Sequence, residues 1–291
     1  MTKNLSILVT GADGQLGAHF CALARTRNAE VHGFGRKQLD VSDEAKVSQA
    51  IEELRPDVVV NAAAYTNVDG AENDREGAYQ VNRNGPAHLA RACAKTSARL
   101  IHISTDFVFD GETGQPYRPF DTPNPINVYG QSKLAGEREI LGLLPSSSAI
   151  IRTSWLYAPE RRNFVTVMLE KLSNEAELSV VCDHISTPTS TESLCQAILA
   201  AIEHSASGTF HWADCGIASR YDFACAIYEY ARACGLISNE CNIIPIGSEA
   251  FETVAPRPGF TALDSQASRD AFALPAIHWR ERLLAVIQPR E

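Results

Sequence analysis

What most restricts the fold of this chain is the alternation, through its first half, of short β-branched runs with longer helical patterns. Residues 5–10 (Leu-Ser-Ile-Leu-Val-Thr) read as a strand, followed by a glycine-rich turn and a helix over 15–27. A second strand is expected at 31–34. The next helix, 45–54, stops at Arg55-Pro56, because proline disfavours helical geometry in the residue before it. The order then continues as strand 58–61, helix 85–96, strand 99–104, a proline-rich loop, helix 130–141 and strand 149–153. Strands separated by helices demand parallel pairing through right-handed crossovers. These strands lack polar alternation, as expected where helices cover both faces of a sheet. The expected class is therefore α/β with a doubly wound parallel sheet.

Thr10-Gly11-Ala12-Asp13-Gly14-Gln15-Leu16-Gly17 follows the first strand directly and opens a helix. Glycines at this spacing allow a tight turn, close backbone approach to a pyrophosphate and close helix–strand packing. The helix N-terminus adds free N–H groups and positive dipole for phosphates. The turn points to a Rossmann-type dinucleotide site over residues 1–157, with further sheet elements from about 178–212. Beyond 157 the pattern loosens, with prolines at 188, 245, 256 and 258. Residues 158–291 are expected to form a smaller, interleaved substrate-binding lobe over the carboxyl ends of the strands. The second strand ends Gly33-Phe34-Gly35-Arg36 without the acid that would bond ribose hydroxyls. Arg36 favours the extra phosphate of NADPH, or tolerance of both NADPH and NADH. The alternative is a solvated surface arginine.

Tyr129 and Lys133 stand at i and i+4, one above the other on a helix face. A phenol with a pKa of about 10 is a poor acid–base catalyst at neutral pH. A nearby ammonium, together with the positive ring of an oxidised nicotinamide, stabilises the phenolate and lowers that value. Many such pairs are surface neighbours, so the spacing alone says little. Ser104-Thr105-Asp106 at the end of the fourth strand supplies context, since the Thr105 hydroxyl can bond a substrate carbonyl beside Tyr129.

Charge bounds what this group could act on. The 291 residues carry a net charge of −9, which argues against nucleic acid as a partner. No apolar run approaches the roughly 20 residues needed to cross a bilayer, and the first residues lack a signal-peptide pattern. The eight cysteines form no Cys-x-x-Cys pair and are expected to be reduced in a cytoplasmic protein. Neither they nor the eight histidines cluster with metal-ligand spacing, so no metal is expected.

With glycine turn, strand-end threonine and Tyr-x-x-x-Lys in this order, the chain resembles the extended short-chain dehydrogenases/reductases over essentially its whole length. Four longer segments narrow the resemblance: 61–72 (Asn-Ala-Ala-Ala-Tyr-Thr-Asn-Val-Asp-Gly-Ala-Glu), 104–111, 127–137 and 152–157. In these the chain is similar to the dTDP-4-dehydrorhamnose reductases. The resemblance implies NAD(P)H-dependent reduction of the 4-keto group of a nucleotide-linked 6-deoxysugar, giving dTDP-L-rhamnose in the main branch. Carried over by motif position, it implies that Gly14, Gln15 and Leu16 contact the pyrophosphate, and Asp40 and Val41 the adenosine end. Ala62 and Ala63 lie beside the cofactor, and Ala64, Tyr65 and Thr66 line its nicotinamide side. Thr105, Asp106 and Trp155 meet the sugar, and Lys133 holds the phenolate of Tyr129 and the nicotinamide ribose. A homodimer is compatible with this family.

Other readings stay in view. Dehydratases on this scaffold follow the strand-end threonine with Asp-Glu, whereas Phe107 follows Asp106 here. Epimerases hold NAD permanently, which fits poorly with Gly35-Arg36. The regulatory β subunit of methionine adenosyltransferase is also similar, and would imply a non-catalytic NADP-binding partner; the 61–69 segment and Trp155 suit the reductases better. Two segments depart from the reductase pattern. Asp-Gln-x-Gly-x-Pro-Thr becomes Asp183-His184-Ile185-Ser186-Thr187-Pro188-Thr189, and Arg-Pro-x-x-Ser-x-Leu-Asp becomes Arg257-Pro258-Gly259-Phe260-Thr261-Ala262-Leu263-Asp264. Arg257 can still make a charge-assisted fork to a diphosphate.

Overall fold

The computed structural model describes residues 5–288. The chain opens with β1 (Ser6–Thr10), α1 (Gln15–Thr26), β2 (Glu30–Phe34), α2 (Glu44–Leu54) and β3 (Val58–Asn61). Two short helices, α3 (Val68–Asn73) and α4 (Arg75–Tyr79), and a π-helical turn (Gln80–Asn84) lead into α5 (Gly85–Thr96) and β4 (Arg99–Thr105). Then come α6 (Val128–Leu143), β5 (Ser148–Thr153), β6 (Leu156–Tyr157), α7 (Phe164–Asn174), β7 (Glu177–Val181), β8 (Ile185–Ser186) and β9 (Thr189–Ser190). The chain ends with α8 (Thr191–Glu203), β10 (Gly208–His211), β11 (Ala218–Ser219), α9 (Arg220–Ala233), β12 (Asn242–Ile246), α10 (Gln266–Phe272) and α11 (Trp279–Ile287).

Six strands form the main sheet in the order β10-β5-β4-β3-β1-β2, and every neighbouring pair is parallel. This is the expected doubly wound α/β sheet. Successive side chains point to opposite faces. Ile7, Val9, Val58, Val60, Ile101 and Ile151 pack in one core with residues of α1 and α8. Leu8, Val59, Leu100 and Ile150 pack in the other with residues of α2, α5 and α6. With both faces covered, apolar residues occupy successive positions in the middle of the strands, and the sequence shows runs rather than alternation. Strand order reverses at β1: β2 lies on one side, and β3, β4 and β5 on the other. A sheet wound this way leaves a crevice at the carboxyl ends of the strands beside the reversal.

A second core forms where β7 and β12 pair in parallel beneath α7, α9 and α11, around Leu172, Phe223, Ile227 and Trp279. Between its elements the chain returns to the main sheet to place β10 against β5. Among the described residues, no helix is long and apolar enough to cross a membrane, and the eight cysteines are free thiols.

Helix α6 starts two residues earlier than the sequence pattern suggests. Asn127 caps it, its side chain accepting from the Gly130 N–H at 2.8 Å, so the helix begins at Val128 and Tyr129 falls in its first turn. Two turns on, Glu137 is buried in a fork with Arg152 of β5: Nη2 donates to Oε2 at 2.7 Å and Nε to Oε1 at 3.0 Å. The side chains are 2% and 5% exposed, and the Ser104 hydroxyl of β4 also donates to Glu137. Breaking such a pair on one side strands a buried charge. Arg152→Met is therefore expected to cost about 3–5 kcal/mol in urea unfolding, and Arg152→Met/Glu137→Gln less than Arg152→Met alone.

Candidate active site

The crevice beside β1 and β3 is a cavity of about 690 Å³. Its floor is the glycine turn. Gly11 has φ +69°, and a Cβ there would lie 2.6 Å from the Ala63 nitrogen and 2.7 Å from the Ala62 carbonyl carbon. Only glycine lets β1 turn this close to β3. Gly14 precedes α1 without a side-chain cap, which leaves the first-turn donors of Gln15 and Leu16 to a ligand. Gln15 donates from Nε2 to the Leu156 carbonyl at 3.1 Å, while its Oε1 is buried with no partner among the described residues. Gly17 does not line the cavity; it packs beneath, against the backbone of Gly11.

The far end is lined by Arg36, Asp40 and Val41. Arg36 is mostly exposed and pairs with Asp40 at 3.4 Å, and Asp40 also accepts from the Ser42 N–H and hydroxyl. Asp13 belongs to the same end: its carboxylate fills the space that a side chain at position 35 would need. An acid from the glycine turn thus stands where the second strand itself provides none. Ala62, Ala63, Ala64, Tyr65 and Thr66 form the wall that continues β3. The small side chains of Ala62, Ala63 and Ala64 and the backbone cradle of the glycine turn leave an extended space that fits a dinucleotide.

Thr105, Asp106, Tyr129, Lys133 and Trp155 line the same cavity. Thr105 and Tyr129 adjoin on this wall, and the Thr105 hydroxyl donates to Asp106 at 3.1 Å. Burial pushes the Tyr129 phenol up to about 12, partly opposed by Thr105 and reinforced by the Asp106 charge. The expected lowering by Lys133 is not what this geometry produces. The lysine is 2% exposed and donates to the Ile103 carbonyl at 2.6 Å, with its Nζ 3.3 Å from His102 Nε2. Burial brings Lys133 down to about 8, opposed by the Glu137 charge.

Asp106 is committed elsewhere. It accepts from Thr261 Oγ1 at 2.5 Å, Ser186 Oγ at 3.3 Å and Thr105 Oγ1 at 3.1 Å, and burial raises it to about 6. It therefore ties the end of β4 to the second lobe as well as facing the crevice. Trp155 has φ +39° and carries the Arg220 guanidinium 3.6 Å from its ring centroid. Arg257 does not line the main cavity. One Nη donates to Asp69 at 2.8 Å, and the other is buried without a partner among the described residues.

The sequence pattern missed Asp13, Arg161 and Arg162, which line the cavity, and Arg220 and His102, which contact its walls. His102 carries a signal in retrospect, as a histidine inside an apolar strand. Arg220 carries none, because its partner Trp155 is 65 residues away in the chain.

The parallel sheet, glycine turn and Thr–Tyr–Lys group define a dinucleotide-binding reductase of the extended short-chain type. The family model described as the RmlD substrate binding domain matches residues 5–291. A dTDP-4-dehydrorhamnose reductase of Mycobacterium tuberculosis (strain CDC 1551 / Oshkosh) is 39% identical over 287 residues, 97% of this chain and 92% of that protein. The spore coat polysaccharide biosynthesis protein SpsK of Bacillus subtilis is 39% identical over 290 residues, 100% of this chain and 98% of that one. The crystal structure of dTDP-4-dehydrorhamnose reductase from Bacillus anthracis in complex with NADP superposes with a TM-score of 0.92 at 35% identity, covering 98% of this chain and 99% of that one. The chain belongs to the dTDP-4-dehydrorhamnose reductase family.

Alanine at position 11 would add a left-handed penalty of about 1–2 kcal/mol to the clash with β3. Gly11→Ala is therefore expected to destabilise the fold by at least about 1–2 kcal/mol, read as a lower midpoint in urea unfolding.

Proposed function

We propose that this protein reduces the 4-keto group of dTDP-4-dehydro-L-rhamnose to give dTDP-L-rhamnose, with NADPH as the preferred reductant. The observation that carries this reading is the placement of Thr105, Tyr129 and Lys133 on the wall of the cavity whose floor is the glycine turn. The relatives' reductase activity and the NADP complex of the B. anthracis protein support it. When bound, the reduced nicotinamide supplies the hydride. The chain's own residues do the rest. Thr105, turning its hydroxyl proton from Asp106, and Tyr129 hold the carbonyl oxygen between two hydroxyls, and the Tyr129 proton passes to that oxygen as its charge develops. Lys133 restores the proton to the phenolate.

The nucleotide is the less constrained half of this assignment. Arg36 favours a 2′-phosphate, while Asp13 at the same end opposes one, which leaves NADH as a slower reductant. Arg161 and Arg162 on the rim offer cations to the sugar's diphosphate, and Trp155 a flat apolar wall.

The direct test follows NADPH and NADH oxidation across dTDP-, UDP- and GDP-linked 4-keto-6-deoxysugars; no turnover with any of them overturns the reading. Tyr129→Phe is expected to lose about 10²–10⁴-fold in kcat. The pH dependence has a definite sign. Lys133 holds its proton below about 8 and loses it above, and reduction consumes a proton. Turnover should therefore fall as pH rises through about 8, and a pH series of kcat checks it.

A further inference from the structure

Beneath the crevice, β1, β3 and β4 place a polar side chain each in one row. Thr10 is the register partner of Asn61, and Asn61 of His102. By strand parity all three lie on the face with Leu8, Val59 and Leu100, where α6 packs. All three are fully buried. The row ends at Lys133 of α6: Thr10 Oγ1 donates to Asn61 Oδ1 at 2.7 Å, Asn61 Nδ2 lies 2.9 Å from His102 Nδ1, and His102 Nε2 lies 3.3 Å from Lys133 Nζ.

The direction of this row is fixed by one backbone group. The Ala63 N–H donates to the Asn61 side chain at 3.1 Å, and an N–H can only meet an acceptor, so that atom is Oδ1. Nδ2 then faces His102 and must donate to Nδ1. Burial, with Lys133 nearby, holds the imidazole well below its ordinary value, so it is neutral and carries one ring proton. With Nδ1 accepting, that proton is on Nε2, the atom facing Lys133.

We propose that His102 is a positioning residue that presents an Nε2–H to Lys133, favouring the free amine there and making the lysine a ready proton donor to Tyr129. The ammonium meets one acceptor, the Ile103 carbonyl, and one opposed donor, His102. When Tyr129 has given its proton to the substrate oxygen, an N–H bond of Lys133 breaks and the proton goes to the phenolate. The electron pair stays on Nζ, and it becomes an acceptor for His102. Solvent later returns the proton to Lys133. The other charges around the lysine come from its own helix and from β4 and β5. Glu137, one turn on, favours the ammonium, but it is held in its fork with Arg152, and Asp106 is engaged by Thr261, Ser186 and Thr105. Asn61 and Thr10 act only through His102.

This inference rests on the role given to Lys133 in the proposed reaction, but its first test does not depend on turnover. Nitrogen NMR of protein labelled in its histidine rings reports the tautomer directly. His102, identified as the resonance lost in His102→Phe or displaced in Asn61→Asp, is expected as the neutral Nε2–H form throughout the neutral range. An Nδ1–H tautomer or an imidazolium overturns the proposal. The second test is the pH series of kcat. Asn61→Asp turns the donor at His102 into an acceptor and moves the ring proton to Nδ1; His102→Phe removes the opposed N–H without adding charge. Both variants should move the alkaline fall upward by about one pH unit, the size of a single lost or gained hydrogen bond. A shift in Asn61→Asp alone would be the effect of its added charge and would overturn the role of His102. If the wild-type protein reduced no keto sugar while the tautomer stood as expected, the functional reading would fail and the hydrogen-bond row would remain.

Discussion

The buried fork between Glu137 and Arg152 is the contact on which the active-site wall depends. Tyr129, Lys133 and Glu137 are spaced by four and share one face of α6. The last is locked to β5 through Arg152 and to β4 through Ser104, so the face can only point at the sheet. Its first turn then overlies the carboxyl end of β4, where Thr105 stands. The Asn127 cap fixes the start of the helix, and Asn127 Nδ2 reaches the Pro256 carbonyl of the second lobe. A charged pair at the base and a cap at the tip hold a tyrosine and a lysine in line with a threonine from another element.

Several polar contacts join the second lobe to the elements around the crevice. Asp106 bridges to Ser186 and Thr261, Asn127 to Pro256, and Arg257 to Asp69. The segments that depart from the reductase pattern supply several of these partners, since Ser186 and Thr261 both lie in them. Position 186 thus carries a hydroxyl that bonds the strand-end aspartate. The altered residues thus take part in joining the lobe to the end of β4.

Electrostatics in this site is governed by burial more than by pairing. Tyr129 goes up and Lys133 goes down for the same reason: each would carry charge where water is scarce. Their ordinary values lie close together, but opposite charge types send them apart, leaving the lysine the stronger acid. With the lysine the stronger acid, the proposed return of a proton from Lys133 to Tyr129 runs downhill.

The sequence by itself determined the sheet and its winding. Runs such as Val58-Val59-Val60 between helical patterns admit only strands covered on both faces, and the glycine spacing admits only a tight turn into α1. It also located Thr105, Tyr129 and Lys133, because each belongs to a short segment whose spacing carries meaning. What it left open were partnerships across long separations. The row from Thr10 through Asn61 and His102 to Lys133 spans four elements, and the carboxylate of Asp13 meets position 35 across two strands. Lys133 was legible as a partner for Tyr129, yet its closest polar neighbours are Ile103 and His102. Local pattern fixes which face a side chain points to, since that follows from the period of its own helix or strand. Which group waits on the other side is settled by register and packing, and those exist only once the strands have come together.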